Sequence, residues 1–109
     1  MSENDQEKME KILDKVVDVL KTIYDPEIPV NIYDLGLVYE INANELGVVD
    51  IQMTLTSPAC PVAESLPKEV QDRVQAIKEV TAANVEIVWD PPWSQDLMSE
   101  EGRLELGLF

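Results

Sequence analysis

The chain of 109 residues carries 22 acidic against 8 basic side chains, a formal net charge of -14, and 45% apolar residues. The apolar share suits one core in one domain, and the charge disfavours nucleic-acid backbones and anionic membranes, both of which are bound through Lys and Arg. Histidine is absent and cysteine occurs once, which removes Ser-His and Cys-His catalytic pairs, the usual zinc ligand and any intrachain disulfide.

The opening stretch "MSENDQEKME" is polar and acidic, whereas a secretory leader is basic and then apolar. No apolar run reaches the ~20 residues that cross a bilayer, so a cytoplasmic protein is expected. Met9, Ile12, Leu13, Val16, Val17, Leu20 and Ile23 recur at three- and four-residue steps and predict an amphipathic helix over residues 5 to 24, with residues 1 to 8 frayed. "YDPEIPVNIYDLG", residues 24 to 36, then reads as a long loop, because its two prolines and Gly36 oppose helix. Alternating apolar residues predict a hairpin of strands 36 to 42 and 48 to 56 around the turn "NANELG". Val62, Leu66, Val70, Val74 and Ile77 place a second helix over 61 to 78, where Pro67 predicts either a kink or a restart near Ser65. Val85, Ile87 and Trp89 alternate in a third strand that Pro91 and Pro92 stop, and Ser99 with Glu100 and Glu101 starts a short last helix. The expected fold is α+β: a single-layer three-stranded mixed sheet with two main helices on one face, in the order α-β-β-α-β plus the short C-terminal helix, forming one domain over 1 to 109.

The chemistry concentrates at "MTLTSPACP", residues 53 to 61. Pro61 is a natural first helical residue, which sets Cys60 at or beside an N-cap where free N–H groups and the helix dipole favour a thiolate. The competing expectation is a small buried hydrophobe. Thr54 and Thr56, read on the strand face away from Met53 and Leu55, would present hydroxyls to the same pocket. Asp25, Glu27 and Asp34 crowd one loop, where Asp25 and Asp34 would cap local turns while one carboxylate faces Cys60. Trp89 and Trp93 read as core or lid aromatics, Trp93 being the candidate lid.

Three segments in this order, "DPEIPVNIYDLGLVYEI", "DIQMTLTSPACPVAESL" and "VEIVWDPPWSQDLMSEEGRLELG", resemble the SufT-like iron-sulfur cluster assembly family, whose domain is shared with PaaD and with cytosolic iron-sulfur targeting factors. The resemblance implies a small α/β domain that helps mature iron-sulfur proteins, and the family's motif positions fall on Asp25, Glu27, Asp34, Gly36, Thr54, Thr56 and Cys60. PaaD-like members carry extra cysteines, and carrier fusions carry a phosphate-binding glycine loop. This sequence has neither, which points to the stand-alone SufT-like type.

Such a protein is expected to be an accessory factor rather than an enzyme. Clusters take about four thiolate or imidazole ligands, so a monomer with one cysteine would hold no cluster stably; Cys60 would be a transient ligand for iron or a cluster. Its expected partners are iron-sulfur scaffold or carrier proteins and client apoproteins, or a second copy in a homodimer, with no nucleic acid and no membrane. Two other readings stand beside this one. In one, an acidic docking module of PaaD-like type partners an oxygenase or assembly complex and Cys60 is only structural. The other is a catalytic thiol, which without histidine would need a carboxylate or lysine base.

Overall fold

The computed structural model describes residues 3–25, 28–56 and 62–107. Ile12, Val16, Leu20 and Ile23 fall on one side of the first apolar pattern and are all fully buried. The helix they specify, α1 (Glu3–Leu20), starts within the stretch expected to fray and ends four residues before the expected residue 24. It stops because its last turn tightens: the N–H groups of Thr22 and Ile23 donate to Val19 and Leu20, three residues back.

The segment read as a plain loop contains a one-turn helix, α2 (Ile32–Leu35). The prolines do not prevent it, since both precede its N-cap. Asn31 caps it by accepting the Asp34 N–H, and Gly36, at φ 85°, closes it in the left-handed region with its N–H turned back to the Ile32 and Tyr33 carbonyls. Upstream, Ile32 N–H donates to the Ile23 carbonyl and Asp25 N–H to that of Val30, so the two ends of the loop are bonded together.

Strands β1 (Val38–Ala43) and β2 (Val48–Met53) pair antiparallel, and β3 (Ala82–Ile87) pairs parallel with β2, giving the order β1-β2-β3. Each strand differs from its expected bounds. β2 ends at Met53, not at 56, and β3 runs from 82 to 87, ahead of Trp89 and the proline pair. β1 starts two residues late and carries a bulge: Val38 opposes Met53 and Glu40 opposes Gln52, leaving Tyr39 without a partner.

The parallel pair requires a crossover, which α3 (Val62–Gln75) supplies. This helix runs unbroken through Pro67, so it does not restart near Ser65. Leu66, Val70 and Val74 of α3 and Ile12, Val16 and Leu20 of α1 close over Val49, Ile51 and Met53 in one core, which puts both long helices on the same sheet face. The other face is polar: Asn42, Asp50 and Asn84 lie in register across the three strands, as do Glu40, Gln52 and Glu86. After β3 a 3₁₀ turn at Gln95–Leu97 leads into α4 (Glu100–Glu105), capped as expected by Ser99, whose Oγ accepts the Gly102 N–H.

Candidate functional site

Two of the sequence-derived site residues, Glu27 and Cys60, lie outside the described residues, as does Pro61. The described chain reaches Thr56 on one side of the cysteine and resumes with Val62, the first residue of α3, on the other. Thr54 is fully buried alongside Met53 and Leu55 rather than facing away from them, because the pleated alternation ends with β2. Its N–H continues the ladder to the Leu37 carbonyl at 2.8 Å. Its Oγ1 is buried without a hydrogen-bond partner, a costly condition for a hydroxyl. Thr56 is half-buried in the bend beyond it.

Of the described loop carboxylates, Asp25 accepts a backbone N–H as a turn cap would, whereas Asp34, expected to do the same, accepts from side chains. Asp25 is buried, and its Oδ1 accepts the Ile28 N–H at 3.0 Å, which turns the chain at the start of the loop. Asp34 is buried too, and both of its oxygens are used: Oδ2 accepts from Asn31 Nδ2 at 2.8 Å and Oδ1 from Ser99 Oγ at 2.9 Å. The Ser99 N–H returns to the Asp34 carbonyl at 2.8 Å. One aspartate thereby joins the cap of α2 to the cap of α4 across 65 positions of sequence. Gly102 is the complement of this junction, since a Cβ there would stand 2.9 Å from the Asp34 carbonyl oxygen.

Gly36 has a second constraint besides its left-handed φ: a Cβ would come within 2.3 Å of the Leu97 carbonyl oxygen. Trp93 packs on the core, and its indole N–H donates to the Leu35 carbonyl at 2.7 Å. The residue proposed as a lid is thus fastened to the end of α2, whereas Trp89 stands about half exposed beyond β3.

These ties hold open a groove of about 520 Å³ lined by Tyr33, Gly36, Val38, Tyr39, Pro91 and Leu97. Only Gly36 of this set was legible as a site residue. Tyr39 owes its place to the β1 bulge, which re-aims its ring, and its hydroxyl donates to the Pro91 carbonyl at 2.7 Å. Burial pushes the Tyr39 phenol above its ordinary value of 10.0, the Asp90 charge adds in the same direction, and the Thr54 hydroxyl pulls the other way. The two hydroxyls are neighbours that do not meet hydrogen-bond geometry. Among the described residues, no three acidic or thiol side chains converge as a metal site. The strongest sequence signal for the groove was unreadable as such, because "YDLGLVY" shows tyrosines two residues either side of a Leu-Gly-Leu without showing the bulge.

Residues 13–87 match the family described as iron-sulfur cluster assembly protein. The chain is 46% identical over 92 residues to an Fe-S protein maturation auxiliary factor of Porphyromonas gingivalis, covering 84% of this chain and 88% of that one. It is 39% identical over 99 residues to the Fe-S protein maturation auxiliary factor YitW of Bacillus subtilis, covering 91% and 97%. Among solved structures, a domain of unknown function from Bacillus anthracis superposes with a TM-score of 0.87 at 35% identity, covering 96% of this chain and all of the other.

Proposed function

The chain belongs to the iron-sulfur cluster assembly family, and from that premise we propose that it is an accessory factor that delivers iron or a cluster to client apoproteins, with Cys60 as one transient ligand. The observation that carries this reading is that the similarity to named maturation factors spans nearly the whole of both chains.

The donor set decides what kind of factor this is. A cluster takes about four thiolate or imidazole ligands, and the chain offers one cysteine and no histidine. The remaining ligands therefore come from a scaffold, a carrier, a client or a second copy, and the cluster is cargo in transit. Cys60 precedes the first helical residue of α3 by two positions, and unpaired N–H groups at a helix start favour the thiolate that binds iron. Asp25 and Asp34 keep the neighbouring loop in shape, a positioning role without contact to cargo. The role calls for no catalysis of its own and belongs in the cytoplasm with its clients.

The test is a strain whose only copy carries Cys60→Ser, grown under iron limitation. Activity of iron-sulfur enzymes is expected to fall several-fold while the purified variant melts within about 2 °C of the parent, serine being close in size. Client activity at the parental level would overturn the ligand role. Alkylation of Cys60 against pH in the folded protein gives an independent reading: labelling faster than a small exposed thiol near neutral pH is the expected result, and labelling that speeds up only on unfolding would mark the thiol as packed.

A further inference from the structure

The groove beside α2 has a shape and a charge pattern that point to what it holds. Its walls are aromatic and aliphatic, and among the described residues no charged side chain lines it. Tyr33 and Leu97 remain 38% and 41% exposed on its rim. The surrounding charge is mainly acidic. Asp90 precedes Pro91 and Asp96 precedes Leu97, both exposed, and Asp90 is close enough to act on the Tyr39 hydroxyl. From Glu86 to Glu105 the chain carries Glu86, Asp90, Asp96, Glu100, Glu101 and Glu105 against a single cation, Arg103.

The nearby cations are already engaged. Arg103 donates to the Gln95 and Asp96 carbonyls, which leaves the Asp96 carboxylate outside that contact, and the Lys21 ammonium sits 5.4 Å above the Tyr33 ring. The walls are also pre-set: Gly36 in its left-handed turn, Tyr39 bonded to Pro91, and Leu35 bonded to Trp93 fix the surface before anything docks, which lowers the ordering cost of binding.

We propose that this groove docks a protein partner presenting an apolar side chain flanked by lysine or arginine. The apolar side chain fills the Tyr33–Tyr39–Leu97 cleft, and the flanking cations meet Asp90 and Asp96, a division of labour in which the anchor supplies affinity and the charges supply specificity and encounter rate. The proposal rests on the reading that the chain works through protein partners; it does not depend on Cys60.

The test uses the full chain labelled with ¹⁵N and three synthetic peptides. The first has a central phenylalanine flanked by lysines, the second replaces the phenylalanine with serine, and the third replaces the lysines with glutamate. The expected result is saturable shifts at the amides of Gly36, Val38 and Leu97 with the first peptide, and at least tenfold weaker binding of the other two. Raised salt should weaken the first peptide. Leu97→Ser and, separately, Asp96→Asn should each weaken it at least threefold with an otherwise unchanged spectrum, while Leu46→Ser, at an exposed leucine of the distant hairpin turn, should not. Equal binding of the serine peptide, shifts centred elsewhere, or no saturable shift would overturn the proposal. Cys60→Ser should bind the first peptide unchanged, so failure of the thiol's role and failure of the groove's role give different results.

Discussion

Asp34 and Asp50 each accept a side-chain hydrogen bond of nearly the same length, 2.9 Å from Ser99 Oγ and 3.0 Å from Asn84 Nδ2. Their surroundings are opposite. Asp34 is buried at the junction of α2 and α4 with a second bond from Asn31, whereas Asp50 lies on the open polar face of the sheet. In water, a lost protein hydrogen bond is replaced at once; in the junction the stranded donors find no substitute. Bond length therefore says little about what each aspartate does, and access of water says most of it. An acidic chain such as this one uses a few carboxylates as internal joints and leaves many on the surface to set its field.

The junction should break most severely at Gly36. Gly36→Ala forces a side chain into a left-handed φ, costing about 1–2 kcal/mol, and drives its Cβ to 2.3 Å from the Leu97 carbonyl oxygen, adding overpacking of about 1–3 kcal/mol. A loss of about 4 kcal/mol is expected, near 16 °C in Tm for a chain of this size. A drop below about 4 °C in thermal denaturation would show that the 93–98 segment yields easily and that the groove is not pre-set.

Asp34→Ala comes next. It strands the buried Asn31 amide and the half-buried Ser99 hydroxyl, and about 2–3 kcal/mol of stability should go. A double-mutant cycle with Ser99→Ala should show a coupling of about 1 kcal/mol. Full stability of Asp34→Ala with lost maturation in cells would instead assign the carboxylate to the cargo site.

This junction is also where reading the sequence alone failed, and the reason is physical. The long helices and the hairpin are written as periodicity over ten or more residues, so α1, α3 and the pairing of β1 with β2 are legible. So is the Ser99 cap, a local pattern. A four-residue helix spans barely one period, and its signal is a pair of caps, Asn31 and Gly36, hidden among prolines that argue for a loop. The Asp34–Ser99 bond links positions with no local relation, and the β1 bulge that turns Tyr39 into the groove leaves no mark on the alternation of "LVYEI". Of the candidate site, Gly36 was named only through the family resemblance, and the role of Asp25 as a turn cap was visible because aspartate betrays a hydrogen-bonding need; Asp34, expected to cap a turn as well, instead accepts from the side chains of Asn31 and Ser99, which do the capping. Tyr33, Pro91 and Leu97 have no such signature.

Tyr39 stands between the two extremes, half-buried with its hydroxyl bonded to Pro91. Its phenol is raised above 10.0, by burial first. A raised acid holds its proton in the folded state at a pH where the unfolded chain has begun to lose it, so the folded state binds more protons and stability falls as pH rises from about 10 through the folded value. Spectrophotometric titration should find the Tyr39 phenol ionising above its ordinary value of 10.0. Asp90→Asn should move it down part of the way only, since burial remains; a return to the ordinary value would make the Asp90 charge, rather than loss of water, the main cause.

The smallest effect is expected at Asp50. Asp50→Ala removes the bond from Asn84, yet both side chains are exposed and water replaces each of them, so the cross-strand pair should contribute less than about 0.5 kcal/mol. A second influence runs the other way. On a chain of net charge -14, removing one carboxylate relieves self-repulsion, and Glu40 and Glu86 lie in the neighbouring row of the same face. At low salt the two influences should cancel or leave the variant slightly more stable than the parent, and added salt, which screens repulsion between exposed charges, should tip the balance back to a slight loss. Denaturant melts of Asp50→Ala at two salt concentrations read this directly. A salt-independent loss above about 2 kcal/mol would place Asp50 among the internal joints, beside Asp34, and would mean that the polar sheet face is shielded from water.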